Sequence, residues 1–459
     1  MIPSSRIKKM HFIGVGGAGM SGIAEILVKN GFEVTGSDPA ESEVIDHLRN
    51  AGVKVFNGHR ADNVHSSELV VYSSAVPQDN VEMEEARRLR IPTIRRAEML
   101  GELMRLKYTL AVCGTHGKTT TTSLLGHIWK ECHKKPTIIV GGVVKNLGTG
   151  AIHGDSDVLI AEADEYDKSF LQMVPSMALL TNVDADHLEC YGTMENLEQA
   201  FTDFLNKVPF YGQVVACIDD VGVRKILPTI VKPLITYGFA AQANYRVGHV
   251  DARHGLSKFE VFHENQLLGI IELGLPGNHN ISNALGALAL SIEEGLSFNQ
   301  IKAALKSFSG VKRRFEHIAD TPKFLLYDDY AHHPTEVKAT LQAARDNFPE
   351  KRIVVVFQPH LYSRTKNCYQ EFSDVFLNCD SLILCPIFGA REPIDLEVSS
   401  ALIGDLAHQK GHKDLHMIDD VKAALAKYQE IQTREDLVLI MGAGPIWKLI
   451  QPFKQWGEE

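Results

Sequence analysis

No apolar run in the 459 residues approaches the roughly 18 needed to span a bilayer. The first residues, Met1-Ile2-Pro3-Ser4-Ser5-Arg6, lack the apolar core of a signal peptide, so a cytoplasmic protein with no membrane insertion is expected. Cysteine is sparse. Cys113, Cys132, Cys190, Cys217, Cys368, Cys379 and Cys385 are odd in number and form no C-x-x-C pair. That argues against a zinc site and a disulfide framework, and for reduced thiols used as small hydrophobes. Positive charge is in deficit, with 47 Lys and Arg against 57 Asp and Glu and a formal net charge of −10. Bulk binding to nucleic acid or an anionic surface is therefore not expected. An anionic small ligand stays open, because phosphate sites use local backbone N–H groups and one or two cations. Glycine (36) and proline (18) are too ordinary for a collagen-like or low-complexity chain. What is present, 44% apolar and 23% charged residues, supports real cores. At roughly 150 residues per domain, the length points to about three domains.

Strand and helix signals alternate from the start. Met10-His11-Phe12-Ile13 runs into glycines, Met20 to Lys29 has helical spacing with Ile23, Ile26 and Leu27 on one face, and Gly31 stops it before the next strand. Repetition through Val53–Phe56 and Leu69–Tyr72 predicts a parallel, doubly wound sheet. A fresh strand at Thr109–Val112 opens a second α/β unit, with an antiparallel excursion expected at 240–275. Beyond a basic stretch near 312–323, a third α/β unit alternates to the C-terminus. The expected domains are 1–106, 107–316 and 317–459.

Three features are of phosphate type. Gly14-Val15-Gly16-Gly17-Ala18-Gly19 stands between strand and helix, and Asp38 ends the next strand where a ribose-binding acid would sit. This reads as a site for a dinucleotide or another diphosphate. Gly114-Thr115-His116-Gly117-Lys118-Thr119-Thr120 follows a strand and opens a helix. Its lysine is placed to cancel β/γ-phosphate charge, and its next hydroxyl to ligate Mg²⁺. Glu162-Ala163-Asp164-Glu165-Tyr166-Asp167 and Asn182-Val183-Asp184-Ala185-Asp186-His187 both follow apolar strands, where hard oxygen ligands would hold Mg²⁺. Two anionic ligands in one chain point away from a simple kinase and from a dehydrogenase.

These motifs, with Ser73-Ser74-Ala75-Val76, Asn278 to Ala284, Arg313-Arg314-Phe315-Glu316, Asp328 to Glu336 and Gln358 to Thr365, resemble in order the Mur ligases of peptidoglycan synthesis. The resemblance is collinear over essentially the whole chain. It implies a Rossmann-like N-terminal domain, a central P-loop ATPase-type α/β domain and a C-terminal Rossmann-like α/β domain that closes over ATP and the amino acid. It reassigns the first loop from NAD to the UDP part of a sugar nucleotide, through Gly14, Gly16, Gly17, Ala18, Gly19, Met20, Ser37, Asp38, Ser73 and Ser74. It implies ATP on Gly114, Thr115, His116, Gly117, Lys118, Thr119 and Thr120, adenine at Asn280 or Asn283, the γ-phosphate at Arg314 and the ribose at Asp328. Thr119, Glu162 and His187 would hold Mg²⁺, and Tyr330, His332, His360 and Arg364 would line the amino-acid and substrate carboxylate pocket. Lys118, Arg314 and His332 would be catalytic.

The implied reaction joins L-alanine to the lactyl carboxylate of UDP-N-acetylmuramate through an acyl phosphate, with ATP and Mg²⁺. A family member adding a tripeptide instead is the rival within the family, and an NAD-dependent oxidoreductase is the rival outside it. A monomer and a dimer are equally open.

Overall fold

The computed structural model describes residues 7–17, 19–73, 75–145, 149–253, 255–390, 392–433 and 436–459. The chain forms two compact units. One comprises Met1–Gly248, Glu260–Ile271 and Ser282–Phe308, and the other His249–Phe259, Glu272–Ile281 and Ser309–Glu459.

The first unit holds one sheet and most of a second. β1 (Lys9–Ile13), β2 (Glu33–Asp38), β3 (Lys54–Asn57), β4 (Leu69–Tyr72) and β5 (Thr93–Arg95) lie in the order β3-β2-β1-β4-β5. All of their pairings are parallel. The order reverses at β1, so the crevice beyond its C-terminal end, where Gly14 stands, is the place such sheets offer to ligands. The second sheet runs through β6 (Tyr108–Cys113), β7 (Thr137–Val144), β8 (Thr149–Ile152), β9 (Val158–Glu162), β10 (Met177–Leu180), β11 (Val214–Cys217), β12 (Leu234–Gly238), β13 (Tyr245–Arg253), β14 (Leu256–His263) and β15 (Gln266–Leu273). Its order is β15-β14-β13-β12-β11-β10-β6-β9-β7-β8. β6 lies between β9 and β10, with Val112 opposite Glu162 and Cys113 opposite Leu180. That register sets the glycine loop after β6 between the two acidic segments.

β6 and β10 carry near-continuous apolar runs because both faces are covered. The excursion at 240–275 is the edge β13-β14-β15, where Glu264 and Asn265 at φ 45° and 68° make a tight two-residue reversal. One apolar core is continuous through both sheets, from Phe12 and Met20 to Phe201 and Phe204. The helix Arg96–Arg105 approaches the segment Tyr166–Gln172, between β9 and β10, closely at Gly101, where a Cβ would lie 2.5 Å from the Gln172 carbonyl oxygen.

In the other unit, β16 (Glu316–Asp320), β17 (Phe324–Asp329), β18 (Arg352–Phe357), β19 (Ser381–Leu384), β20 (Leu415–Met417) and β21 (Asp436–Met441) order as β16-β17-β21-β18-β19-β20. Only β16 is antiparallel to its neighbour. Met441 stands opposite both Asp329 and Phe357, so the loops after β17, β18 and β21 emerge side by side. The architecture is α/β throughout, with three mainly parallel sheets. Among the described residues no helix is long and apolar enough to cross a membrane.

Candidate active site

The N-terminal loop is built by its neighbours in the sheet. Gly14 and Val15 donate their N–H groups to the Ser37 carbonyl at 2.8 and 3.1 Å. Gly16 N–H donates to Asp38 Oδ2 at 2.9 Å, and Ala40 N–H to Oδ1 at 3.0 Å. Each Asp38 oxygen thus accepts one backbone N–H and keeps a further lone pair. Gly19, at φ 77°, begins the helix Met20–Lys29, which has no side-chain cap and no acid in its first turn. Such a terminus attracts an anion.

Met20 and Ser37 do not line this surface through their side chains. Both are fully buried, Met20 in the core and Ser37 with its hydroxyl donating inward to Glu82 Oε2 at 2.6 Å. Ser73 accepts the Ala75 N–H, while Ala18 and Ser74 lie outside the described residues. Arg96 was missed in the sequence. Its Nη1 lies 2.9 Å from where a Cβ of Gly19 would be, so a guanidinium stands at the mouth of the loop.

After β6 the chain turns through Gly114 at φ 132° and Gly117 at φ 80°. A Cβ on Gly114 would meet Thr181 Oγ1 at 2.1 Å, and one on Gly117 would meet Asn283 Oδ1 at 2.7 Å. Asn182 grips the loop from β10: its Oδ1 accepts His116 N–H at 2.7 Å and its Nδ2 donates to the His116 carbonyl at 2.9 Å. His116 Nε2 faces Asp184 Oδ2 at 3.1 Å, and Thr115 exchanges hydrogen bonds with the Asp184 backbone. Thr120 is buried.

Lys118 Nζ donates to Glu165 Oε2 at 2.5 Å and to the carbonyls of Gly114 and Thr115 at 2.8 and 3.0 Å. Burial opposes its charge, but Glu165, Asp164 and Glu162 outweigh burial and hold the ammonium protonated. Thr119 Oγ1 donates to Glu162 Oε1 at 2.9 Å, and Gly141 N–H donates to Glu162 Oε2 at 2.8 Å. His187, at φ 55°, turns its Nε2 toward Glu165 Oε1 at 3.9 Å and Asp186 Oδ2 at 3.8 Å. Burial works against the imidazolium there, yet Glu189, Asp186 and Glu165 raise its pKa. Glu165 therefore joins Lys118 to His187, a role that its place in an acidic run did not single out.

The second unit collects its expected residues in one chain of contacts. The guanidinium carbons of Arg313 and Arg314 lie 4.8 and 5.1 Å from the Tyr330 ring centre, within cation–π range. Tyr330 stands edge-on to His332 at 5.2 Å, and His332 to His360 at 5.8 Å. Arg364 Nη1 approaches His360 Nδ1 at 3.4 Å. His332 Nδ1 lies 3.0 Å from the Tyr330 carbonyl and 3.2 Å from Glu336 Oε2. Glu336 also faces Arg314 at 3.5 Å. Arg313 is a framework residue, donating to the Gly442 carbonyl at 2.5 Å. Asn280 turns its amide to the Pro276 carbonyl at 2.8 Å, whereas Asn283 stands against the phosphate-type loop.

Asp328 is buried with its Oδ2 3.6 Å from Arg313 Nε. Burial pushes its carboxyl up to about 7, against the pull of Arg313. A folded-state value above the ordinary 3.8 contributes stability that is complete below that value and is lost as the pH rises through about 7. Asp328→Asn should match the parent near pH 4 and exceed it by roughly 2–4 kcal/mol near pH 8 in urea unfolding monitored by circular dichroism.

A phosphate-type loop flanked by a Thr–Glu pair and a buried Lys–Glu pair, beside a separate glycine-rich fold, defines a nucleotide-dependent enzyme. The chain belongs to the Mur ligase family: the family's catalytic domain matches residues 9–108, its middle domain 112–291 and its glutamate ligase domain 313–444. Among curated relatives, the UDP-N-acetylmuramate--L-alanine ligase of Salinibacter ruber is 44% identical over 98% of this chain and 94% of its own length. That of Solidesulfovibrio magneticus is 45% identical over 97% of each. Of solved structures, the UDP-N-acetylmuramate-alanine ligase of Thermotoga maritima superposes with a TM-score of 0.82 at 29% identity, covering 98% of both chains. A murein peptide ligase from Psychrobacter arcticus shares the fold, with a TM-score of 0.72 at 22% identity and 98% of both chains.

Proposed function

We propose that this chain is an ATP-dependent ligase that joins the amino group of L-alanine to the lactyl carboxylate of UDP-N-acetylmuramate, releasing ADP and phosphate. The observation that carries the reading is the protonated Lys118 held at the glycine loop by Glu165, beside the Thr119–Glu162 pair. The names of relatives more than 40% identical over nearly the whole chain support the choice of substrates. Residues 1–106 take the sugar nucleotide, 107–316 ATP and 317–459 the amino acid. The product belongs to peptidoglycan precursor synthesis in the cytoplasm, and so to cell wall biogenesis, cell shape and division.

A carboxylate is a poor acyl donor, so it is first phosphorylated and then attacked by the neutral amine through a tetrahedral intermediate. Bringing a carboxylate against a γ-phosphate opposes like charges, and preorganised cations reduce that barrier. Lys118 exchanges its Gly114 and Thr115 carbonyl partners for phosphate oxygens, and Arg314 faces the γ-phosphate. Arg96 and the N–H groups at Gly19 hold the diphosphate of the sugar nucleotide. His332, oriented by the Tyr330 carbonyl and Glu336, receives the ammonium proton of alanine. Tyr330, His360 and Arg364 orient the amino acid's carboxylate.

The residues fit Mg²⁺: Glu165 Oε1 is buried without a hydrogen-bond partner, and the Thr119 hydroxyl and the Glu162 carboxylate add hard oxygens. Thr119, Glu162 and His187 would hold the ion, which when bound neutralises phosphate charge. The test is phosphate release from ATP with UDP-N-acetylmuramate and, in turn, L-alanine, glycine, L-serine and a tripeptide. L-Alanine should give the highest kcat/KM, about 10-fold or more above the tripeptide. Preference for the tripeptide would reassign the chain to muropeptide recycling.

A further inference from the structure

Glu82, on the helix Val81–Arg88, is a fully buried carboxylate that none of the motifs above includes. Its Oε2 accepts the Ser37 hydroxyl at 2.6 Å and lies 3.1 Å from His59 Nδ1 and 3.7 Å from His11 Nε2. Its Oε1 accepts Asn63 Nδ2 at 2.5 Å and the Arg60 N–H at 3.3 Å. His11 is itself fully buried, with Nδ1 2.8 Å from the Thr35 hydroxyl. Burial alone would raise the Glu82 pKa, but His11, Ser37 and Asn63 reverse this and hold the carboxyl down to about 2. A carboxylate kept ionised out of water needs all its partners, so the cluster has little freedom to rearrange.

What the cluster fixes is the end of β2. Ser37, clamped by Glu82 through its hydroxyl, uses its carbonyl to hold the N–H groups of Gly14 and Val15. The adjoining segment is tied in as well, since the Gly58 N–H donates to the Asp38 carbonyl at 2.8 Å and Asn63 spans the Gly58 carbonyl and Glu82. Asp38 in turn holds Gly16. Strands β1 and β2 and the segment after β3 thus converge on one carboxylate beneath the glycine loop.

We infer that Glu82 is a positioning residue for the sugar nucleotide, holding the Gly14–Val15 turn in its binding geometry through Ser37. The inference rests on the assignment of that loop to UDP-N-acetylmuramate. Glu82→Gln keeps size and shape but replaces an acceptor oxygen by an NH₂: turned to Asn63 and the Arg60 N–H it meets two donors, and turned to Ser37 it reverses that hydrogen bond and removes the charge that clamps the hydroxyl. Isothermal titration of the full-length protein with UDP-N-acetylmuramate alone should show Kd raised about 10-fold or more. In steady-state assays KM for the sugar nucleotide should rise in parallel, while kcat and the KM values for ATP and L-alanine stay within about twofold. A simple loss of folded protein would lower kcat and leave every KM unchanged.

A folded Glu82→Gln protein with parental Kd overturns the inference. Should that variant fail to fold, Ser37→Ala decides, because it keeps the carbonyl and removes only the hydroxyl tether. A Kd raised about threefold or more supports the inference, and a parental Kd overturns it. A parent protein that does not bind UDP-N-acetylmuramate at all would instead overturn the functional reading, and this inference with it.

Discussion

Replacing Lys118 by methionine is expected to lower kcat by about a thousandfold or more, since one preorganised charge facing the transferring phosphoryl group is removed from a sheltered site. The same change should also destabilise the protein. Lys118 is the partner of Glu165, which is 1% exposed, and removing one member of a buried pair typically costs about 3 kcal/mol or more. The two effects are separable. Lys118→Met combined with Glu165→Gln should recover much of the lost stability in thermal melts, because no unpaired charge then remains inside. Turnover should stay at the level of the single variant. Near-parental activity in either protein would remove Lys118 from the chemistry.

Glu162→Gln is expected to reduce activity by about a hundredfold at ordinary Mg²⁺ and to raise the half-saturating Mg²⁺ concentration by about tenfold or more. Glu162 receives the Thr119 hydroxyl on one oxygen and the Gly141 N–H on the other, so the amide keeps the fold while weakening the hard-oxygen set. A Mg²⁺ titration of the initial rate reads this directly. Partial recovery at high Mg²⁺ supports the ligand role, and an unchanged midpoint contradicts it.

The parts of the site legible in the sequence are those whose geometry is local. Gly14, Gly114, Gly117, Lys118 and Thr119 announce themselves because a turn between a parallel strand and a helix constrains consecutive residues. The partners that make these residues work are not local. Glu165 lies 47 residues from Lys118, and Glu82 lies 45 from Ser37. Both pairings depend on which strands the topology sets side by side, and a run such as Glu162 to Asp167 does not say which carboxylate turns inward. Arg96 was hidden in the same way, in a helix that reads simply as polar.

Ser37 and Met20 fail as ligand-lining side chains for a related reason. A central parallel strand and the helix packed on it are buried on faces that alternation does not distinguish, so a polar residue at a strand end can point inward when a buried acid waits for it. In the second unit, Tyr330, His332, His360 and Arg364 were recognisable by motif. Their convergence follows from Met441 standing opposite both Asp329 and Phe357. Arg313, which the motif left without a role, is tied into the framework by its hold on the Gly442 carbonyl.

The most direct measurement places oxygen-18 in the lactyl carboxylate of UDP-N-acetylmuramate and follows one turnover with ATP and L-alanine by mass spectrometry. Activation by phosphorylation of that carboxylate predicts one labelled oxygen in the released phosphate and one retained in the new amide carbonyl. Phosphate free of label, or no alanine-containing product, would contradict the account.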